Sequence, residues 1–223
     1  MLKKILIAVA VLLVVLLIVV ASRPASYRVA RSTNITAPPA VVYSQVVDFH
    51  RWDAWSPWAK LDPAMKATYS GPPSGPGSAY AWTGNDKVGE GKMLITGARP
   101  GQEVNIKLDV IKPFESSATT GFLFEPAAGA TKVTWSMSGE NNFVGKAFSL
   151  FMDMDAAIGK DFEKGLLALK TVSEAEAKRL ADEAAKKAAA DAEAAKAAAD
   201  AAAAQAAADA AKAKAPKGKG AKK

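Results

Sequence analysis

The strongest constraint on this chain is a run of seventeen consecutive apolar residues from Ile5 to Ala21. As an α-helix, with a rise of about 1.5 Å per residue, the run covers about 25 Å, which is near the lower limit for crossing a bilayer. Lys3 and Lys4 precede it, and basic residues beside a span favour the cytoplasmic side. We therefore expect residues 1–24 to form a single-pass transmembrane anchor. Its N-terminus would be cytoplasmic, and the rest of the chain would lie on the exported, extracytoplasmic side.

A cleaved signal peptide is the alternative, because the basic start and the small residues near Ala21 partly match a cleavage pattern. The apolar run is longer than the usual core of a signal peptide, and Arg23 and Pro24 follow it directly. Arg23, Arg28 and Arg31 also weaken the charge difference across the segment. The length of the apolar run and the Arg23-Pro24 pair favour a retained anchor, and either interpretation exports the domain.

The basic charge of the protein is concentrated at its C-terminus. The formal net charge is +7, and six lysines lie within residues 212–223. Without them the chain is close to neutral, so the folded part is not expected to bind nucleic acid. The sequence has no cysteine and one histidine, His50, which excludes disulfides and thiolate metal sites and leaves carboxylate sites for hard cations. We expect neither a metal nor another cofactor.

Between residues 25 and 172 the sequence predicts one domain with a curved antiparallel sheet. Residues 27–35 alternate and are rich in β-forming residues, and a helix that starts at prolines follows them through Phe49. Turn-rich segments beginning at Gly71, Gly84, Pro100 and Pro126 separate five further predicted strands. Alternation places one large apolar set on a single sheet face: Tyr80, Trp82, Met93, Ile95, Val104, Ile106, Leu108, Val110, Phe122, Phe124, Val133, Trp135 and Met137.

An apolar sheet face needs a cover, and the segment 143–169 has the helical spacing to supply it. The predicted stripe along this helix consists of Phe148, Phe151, Asp155, Ile158, Phe162 and Leu169. The fold class is therefore α+β, with an antiparallel sheet wrapped around one long C-terminal helix.

Four segments of the chain resemble one known family: RWDAWSPW from Arg51, GNDKVGEG from Gly84, KPFESS from Lys112 and MDMDAAIGKDFEKGL from Met152. In these four sequence motifs the chain resembles the membrane-anchored polyketide cyclase/dehydrase-type members of the START-like, or SRPBCC, superfamily. The resemblance covers about residues 27–172. It implies the helix-grip fold and a cavity between sheet and helix, usually for an apolar ligand, and it does not imply a catalytic mechanism.

The candidate ligand site is this cavity. Trp52, Trp55 and Trp58 recur every third residue around Pro57, and two roles are open for them. They either form an aromatic lip that grips a ligand or, as we favour, seal the open end of a small core. The remaining candidate ligand-binding residues are Tyr80, Trp82, Phe122, Phe124, Trp135, Phe151 and Asp155.

Asp155 interrupts the otherwise apolar helix stripe and is the one candidate catalytic residue on that helix. Inside a cavity, desolvation would raise its pKa and make it a proton donor or a polar contact for a ligand. The alternative, which we favour, is a structural carboxylate that satisfies a nearby donor. Tyr80 is a second candidate for proton transfer. The charged, glycine-rich hairpin at residues 84–91 is expected to be a solvated turn.

The C-terminal quarter of the chain differs in composition from the rest. Residues 173–211 are mainly alanine with interspersed charges, which predicts a solvated helical spacer without the large apolar repeats of a coiled coil. Pro216, Gly218 and Gly220 then break the helix, so residues 212–223 are expected to form a flexible, lysine-rich tip. Its expected partners are anionic, such as lipid headgroups or acidic polymers, and the alternative is a solubilising tail without a partner.

Three functions remain open from the sequence. The first is a membrane-anchored module that binds or transfers a small hydrophobic molecule or lipid. The second is a cyclase- or dehydratase-like enzyme that uses the same cavity, with Asp155 or Tyr80 in proton transfer. The third is an interaction module with a filled core, which acts through its basic tail.

Overall fold

The computed structural model describes residues 1–141, 143–151 and 153–214. The chain divides into two compact units, Met1–Ala177 and a second that starts at Lys178. The elements in chain order are α1 (Leu2–Ala21), β1 (Ser26–Ile35), α2 (Pro39–Val46), a 3₁₀ helix (Phe49–Ala54), β2 (Lys66–Ser70), β3 (Ala79–Thr83), β4 (Glu90–Arg99), β5 (Glu103–Lys112), β6 (Ser116–Ala127), β7 (Ala130–Glu140), α3 (Phe143–Phe148) and α4 (Met154–Lys214).

The strands form one antiparallel sheet of seven strands in the order β1-β7-β6-β5-β4-β3-β2. Each of the strands β2 to β7 pairs with the next one along the chain, and β1 pairs with β7 at the opposite edge of the sheet from β2. With the long helix α4 this confirms the helix-grip α+β fold. The sequence missed strand β2, because four of its five residues are exposed and so carry no alternation.

The apolar face predicted from alternation is the inner face of the sheet. Most of its members are buried, and Tyr80, Trp82 and Leu108 are partly buried against the same core. Helix α4 packs on this face through Phe162, Leu166 and Leu169. The glycine at position 165 allows this approach, because a Cβ there would come within 2.7 Å of the Trp135 ring.

The predicted continuous helix over residues 143–169 is wrong, since the segment contains two helices. Asp153 starts the second helix: its carboxylate accepts a hydrogen bond from the Ala156 amide at 3.1 Å, as an N-cap residue does. Phe151 lies in the turn between α3 and α4. The break ends the helical periodicity on which the position of Phe151 in the stripe depended.

Helix α1 has 20 residues, and among the described residues it is the one helix long and apolar enough to cross a membrane. Val20 near its end is buried, and the helix contacts α3.

In the second unit the chain is helical from Lys178 to Lys214, a length of about 55 Å at about 1.5 Å per residue. Its side chains are exposed as far as they are described, through residue 210. The predicted tip lies outside the described residues from position 215 onward.

Candidate ligand-binding site

A cavity of about 300 Å³ lies between the inner face of the sheet and helix α4. This volume is at the lower end of the range for small-molecule sites, roughly 300–1,000 Å³. Its lining is mainly aromatic and aliphatic, with charged residues among the exposed ones: Trp52, Asp53, Ser56, Trp58, Ala59, Met65, Tyr80, Trp82, Asp86, Lys87, Val88, Gly89, Met93, Leu108, Val110, Lys112, Pro113, Thr120, Trp135, Met137, Ile158 and Phe162.

The sheet supplies two stacked rings on β3, Tyr80 and Trp82, with centroids 5.7 Å apart. The Trp82 indole N–H donates to the carbonyl of Val88 at 2.9 Å, which ties the ring to the β3–β4 turn. Gly91 lies directly across from Trp82 on β4, and a Cβ at Gly91 would come within 2.6 Å of the indole. The glycine therefore makes room for the ring that lines the cavity.

Helix α4 covers the cavity with Ile158 and Phe162. Phe162 stacks on Trp135 with centroids 4.1 Å apart and an interplanar angle of 6°. The Trp135 N–H donates to the Thr120 hydroxyl at 3.0 Å, and that hydroxyl donates to the Ser136 carbonyl at 2.9 Å. The polar groups at this wall are thus mutually satisfied, and the wall presents an apolar surface.

Tyr80 provides a polar group within the aromatic lining. Its half-burial raises the pKa of its hydroxyl to about 12, with smaller contributions from Tyr69 and Asp53. The phenol is therefore neutral at physiological pH and can donate a hydrogen bond to a ligand.

The charged residues of the lining are exposed and belong to the rim. Asp86 and Lys87 lie in the β3–β4 turn, and Lys112 ends β5. Lys112 is held by an ion pair with Glu90 at 2.7 Å. An apolar interior with a charged rim suits a ligand that is mostly hydrophobic.

Residues 26–174 of the chain, well over half of its length, match the family described as polyketide cyclase / dehydrase and lipid transport. The chain belongs to this family. The match confirms the resemblance that the four sequence segments indicated. No curated protein matches the chain.

Solved structures with the same fold are distant in sequence. The KanY protein, solved by NMR, aligns with a TM-score of 0.51 at 16% identity and covers 67% of this chain and 98% of its own. A protein from Rhizobium leguminosarum aligns with a TM-score of 0.50 at 15% identity, over 67% and 95% of the two chains. At these identities the similarity shows the fold alone.

The three tryptophans of the RWDAWSPW segment (the tryptophan trio) occupy two kinds of position, in the core and at the cavity. The indole N–H groups of Trp52 and Trp55 donate to the carbonyls of Val46 and Gln45, at 2.9 and 3.0 Å, and fasten the 3₁₀ helix to the end of α2. Trp55 is buried behind the cavity wall, whereas Trp52 and Trp58 line the cavity. Core sealing and cavity lining are therefore shared among the three rings.

Asp155 lies outside the cavity, so the hypothesis of a cavity proton donor is wrong for this residue. Its carboxylate accepts two hydrogen bonds from the Arg31 guanidinium at 3.0 Å each, and it is exposed. These bonds hold the pKa of Asp155 below its ordinary value, which is the opposite of the expected direction. Arg31 also bonds Glu163 at 2.9 Å, so the three residues fasten α4 to β1.

Phe151, Phe122 and Phe124 also lie away from the cavity lining. Phe151 is 88% exposed in the turn between α3 and α4. Phe122 and Phe124 are 2% exposed and belong to the solid core beside the cavity, where they stack with centroids 6.4 Å apart. Five of the ten predicted ligand-binding residues do line the cavity: Trp52, Trp58, Tyr80, Trp82 and Trp135.

Sequence reasoning missed the contribution of the turns. Val88 and Gly89 of the β3–β4 turn and Pro113 after β5 line the cavity, although the glycine-rich hairpin was expected to be only a solvated turn. The available signal was Val88, the one large apolar residue between two glycines in GNDKVGEG. Met65 likewise lines the cavity from a segment without a periodic pattern.

His50 lies away from the cavity lining. It stacks on Tyr69 with centroids 4.1 Å apart, and its Nδ1 atom is 2.9 Å from the Asp48 carboxylate. Within the described residues there is no group of three histidine, aspartate or glutamate side chains placed to hold a metal ion.

Proposed function

We propose that this protein is a membrane-anchored module that binds a small hydrophobic molecule between its sheet and helix α4. The observation that carries the proposal is the aromatic cavity of about 300 Å³, in which the polar groups of the Trp135–Thr120 wall are satisfied and charges are confined to the rim. Apolar burial would supply the binding energy, at about 25 cal/mol per Å². The lipid-transport part of the family description agrees with this chemistry.

The volume of the cavity restricts the ligand class. A diacyl phospholipid is too large for about 300 Å³, whereas a single acyl chain or a molecule of two or three fused rings has a suitable size. The Tyr80 hydroxyl would bind one polar group of such a molecule. The ligand we propose is thus a small amphiphile with one hydrogen-bond acceptor.

The proposal places α1 in the membrane as a retained anchor, with the N-terminus cytoplasmic and the domain exported. The length and apolar composition of α1 support a span, and Lys3 and Lys4 support the orientation. The helix from Lys178 would act as a spacer that carries the lysine-rich tip to an anionic partner.

An enzymatic function has less support. The ion pair of Asp155 with Arg31 removes the main candidate acid from the cavity, and a hydroxyl pKa of about 12 makes Tyr80 a poor general base at neutral pH.

The ligand is testable by native mass spectrometry of the full chain released from detergent micelles, followed by organic extraction. Met93→Trp would fill the cavity from β4, whereas Leu94→Trp puts the same side chain on the outer face one residue away. We expect a defined hydrophobic molecule on the wild type and on Leu94→Trp, and its loss from Met93→Trp. Circular dichroism of both variants controls for folding.

Two results would contradict the proposal. One is a wild-type protein that carries nothing and takes up neither fatty acids nor fused-ring compounds in titration. The other is equal retention of the same molecule by both tryptophan variants, which would locate it outside the cavity.

A further inference from the structure

The antiparallel register brings the start of β1 and the β3–β4 and β5–β6 turns to the same end of the sheet. Ser26 at the start of β1 pairs with Glu140 at the end of β7, and Glu90 at the start of β4 pairs with Lys112 at the end of β5. The β5–β6 turn after Lys112 and the β3–β4 turn before Glu90 therefore share this end with the beginning of β1. Both turns also contribute to the rim of the cavity.

Helix α1 joins the domain at this same end. Only four residues separate Ala21 from Ser26, and at no more than about 3.6 Å per residue this link spans less than about 20 Å. The join is also hydrogen-bonded. Arg23 donates to the Ser149 carbonyl at 2.6 Å, Lys146 donates to the Ala21 carbonyl at 3.3 Å, and the Asn141 amide donates to the Ala25 carbonyl at 2.8 Å.

Large apolar side chains are exposed around this join. Phe151 is 88% exposed, Phe143 is 52% exposed and Phe114 in the β5–β6 turn is 60% exposed. Residues of the β5–β6 turn and of α3 line one open concavity together with Ala25 at the start of the domain. Two basic residues, Arg23 and Lys146, lie at the join itself, and the concavity is lined by charges of both signs, with Glu115 and Glu140 beside Lys146.

We propose that this end of the domain is a membrane-docking face that rests on the same bilayer as α1, with Phe114, Phe143 and Phe151 inserted at the interface. The inference rests on the proposed anchoring by α1 and deepens it. Aromatic rings are favoured at the level of the lipid headgroups, and nearby arginine and lysine bind anionic headgroups. The short, hydrogen-bonded link holds the face close to the bilayer surface, so lipid is the partner that covers it.

The orientation has a consequence for the ligand. Because the two turns that contribute to the cavity rim lie at the docking face, a molecule dissolved in the bilayer can reach the cavity without crossing bulk water. The ligand class is therefore one that partitions into the membrane, and its uptake depends on contact between the turns and the lipid.

The absence of cysteine makes the test direct, because a single introduced cysteine carries the only label. Nitroxide labels are placed in the full chain at Phe114→Cys and Phe151→Cys, in nanodiscs of phosphatidylcholine and phosphatidylglycerol. The controls are Leu123→Cys, which pairs with Glu103 at the other end of the sheet, and Leu167→Cys on α4, both at exposed apolar positions. Val11→Cys within α1 reports on the anchor itself.

The measurement is the accessibility of each label to oxygen, which concentrates in lipid, relative to a water-soluble nickel chelate. We expect bilayer-like ratios at positions 11, 114 and 151 and water-like ratios at 123 and 167. A bilayer-like ratio at 11 with water-like ratios at 114 and 151 overturns the docking face and leaves the anchor intact. A water-like ratio at 11 overturns both. The mass-spectrometric search for a ligand is independent of either result.

Discussion

Gly165 of α4 lies against the ring of Trp135, and we predict that Gly165→Ala destabilises the domain although alanine is the better helix former. A Cβ at this position would come within 2.7 Å of Trp135 Cζ3 and 3.1 Å of Pro57 Cδ. The Trp135 ring is 2% exposed and stacks on Phe162, so a shift of the ring away from the new Cβ, towards the cavity that it lines, would disturb this stack. Something in the closely packed interface must therefore shift.

Two opposing contributions decide whether Gly165→Ala lowers or raises the free energy of unfolding. Adding atoms to a well-packed core costs about 1–3 kcal/mol, and replacing glycine by alanine inside a helix gains about 1 kcal/mol. The net effect is a loss of about 1 kcal/mol in the free energy of unfolding. For a chain of this size each kcal/mol lowers Tm by about 2–4 °C.

Gly159→Ala in the same helix is the matched control. A Cβ there would meet the guanidinium of Arg31, which is the far end of a flexible side chain and can turn away at the expense of its bonds to Asp155 and Glu163. Exposed ion pairs contribute little to stability, so the helix-forming gain is expected to leave Tm equal to that of the wild type or slightly higher.

Thermal unfolding in detergent micelles, followed by near-ultraviolet circular dichroism, measures both variants. The tryptophans of the core report directly on the packing around position 135. A Gly165→Ala protein as stable as the wild type would refute the reasoning, as would equal losses in the two variants.

Three further predictions concern titrating groups and the tryptophan trio. Arg31→Met should raise the pKa of Asp155 towards its ordinary value, measured by carboxyl NMR titration, because the lost hydrogen bonds hold that pKa low. A lowered folded-state pKa adds stability that is present above the unfolded-state value of about 3.9 and is lost as the pH falls through the folded-state value. The Asp155 contribution to the Tm difference between Arg31→Met and the wild type should therefore disappear in acid, and a growing difference there would contradict the sign. Tyr80→Phe should remove the tyrosinate absorbance that titrates at about pH 12, and an unchanged titration curve would show that another tyrosine is responsible. Trp55→Phe should cost about 1–3 kcal/mol in chemical denaturation, because a buried hydrogen bond is broken, and Trp58→Phe at the partly exposed rim should cost less; the reverse order would contradict this division of roles.

The fold could be predicted from sequence because most of its strands bury one face. Alternating apolar residues on β3 to β7 identify both the strands and the shared inner face, and the buried members of that set include Ile95, Ile106 and Trp135. Strand β2 has no such pattern, because it lies at the edge of the sheet and is largely exposed. Local pattern predicts a strand only where the tertiary structure buries it on one side.

The candidate site could be predicted only in part, and the errors have specific causes. Phe151 and Asp155 were assigned to the cavity on the assumption of one helical phase from residue 143 to residue 169. The Asp153 cap ends that phase, and α4 starts anew with Asp155 facing Arg31. Phe122 and Phe124 lie on the correct sheet face, but the pattern does not distinguish a residue that fills the core from one that borders empty space.

The sequence by itself determined the apolar N-terminal helix, the sheet-and-helix architecture and the family, because each depends on local periodicity or on short sequence motifs. Only the tertiary structure decided where the cavity is, since its walls come from positions as distant as Trp52, Val88, Pro113 and Phe162. It also decided that the turns at the cavity rim share one end of the sheet with the start of β1, which follows helix α1. That placement follows from strand register, and register is a property of paired strands that no single segment contains.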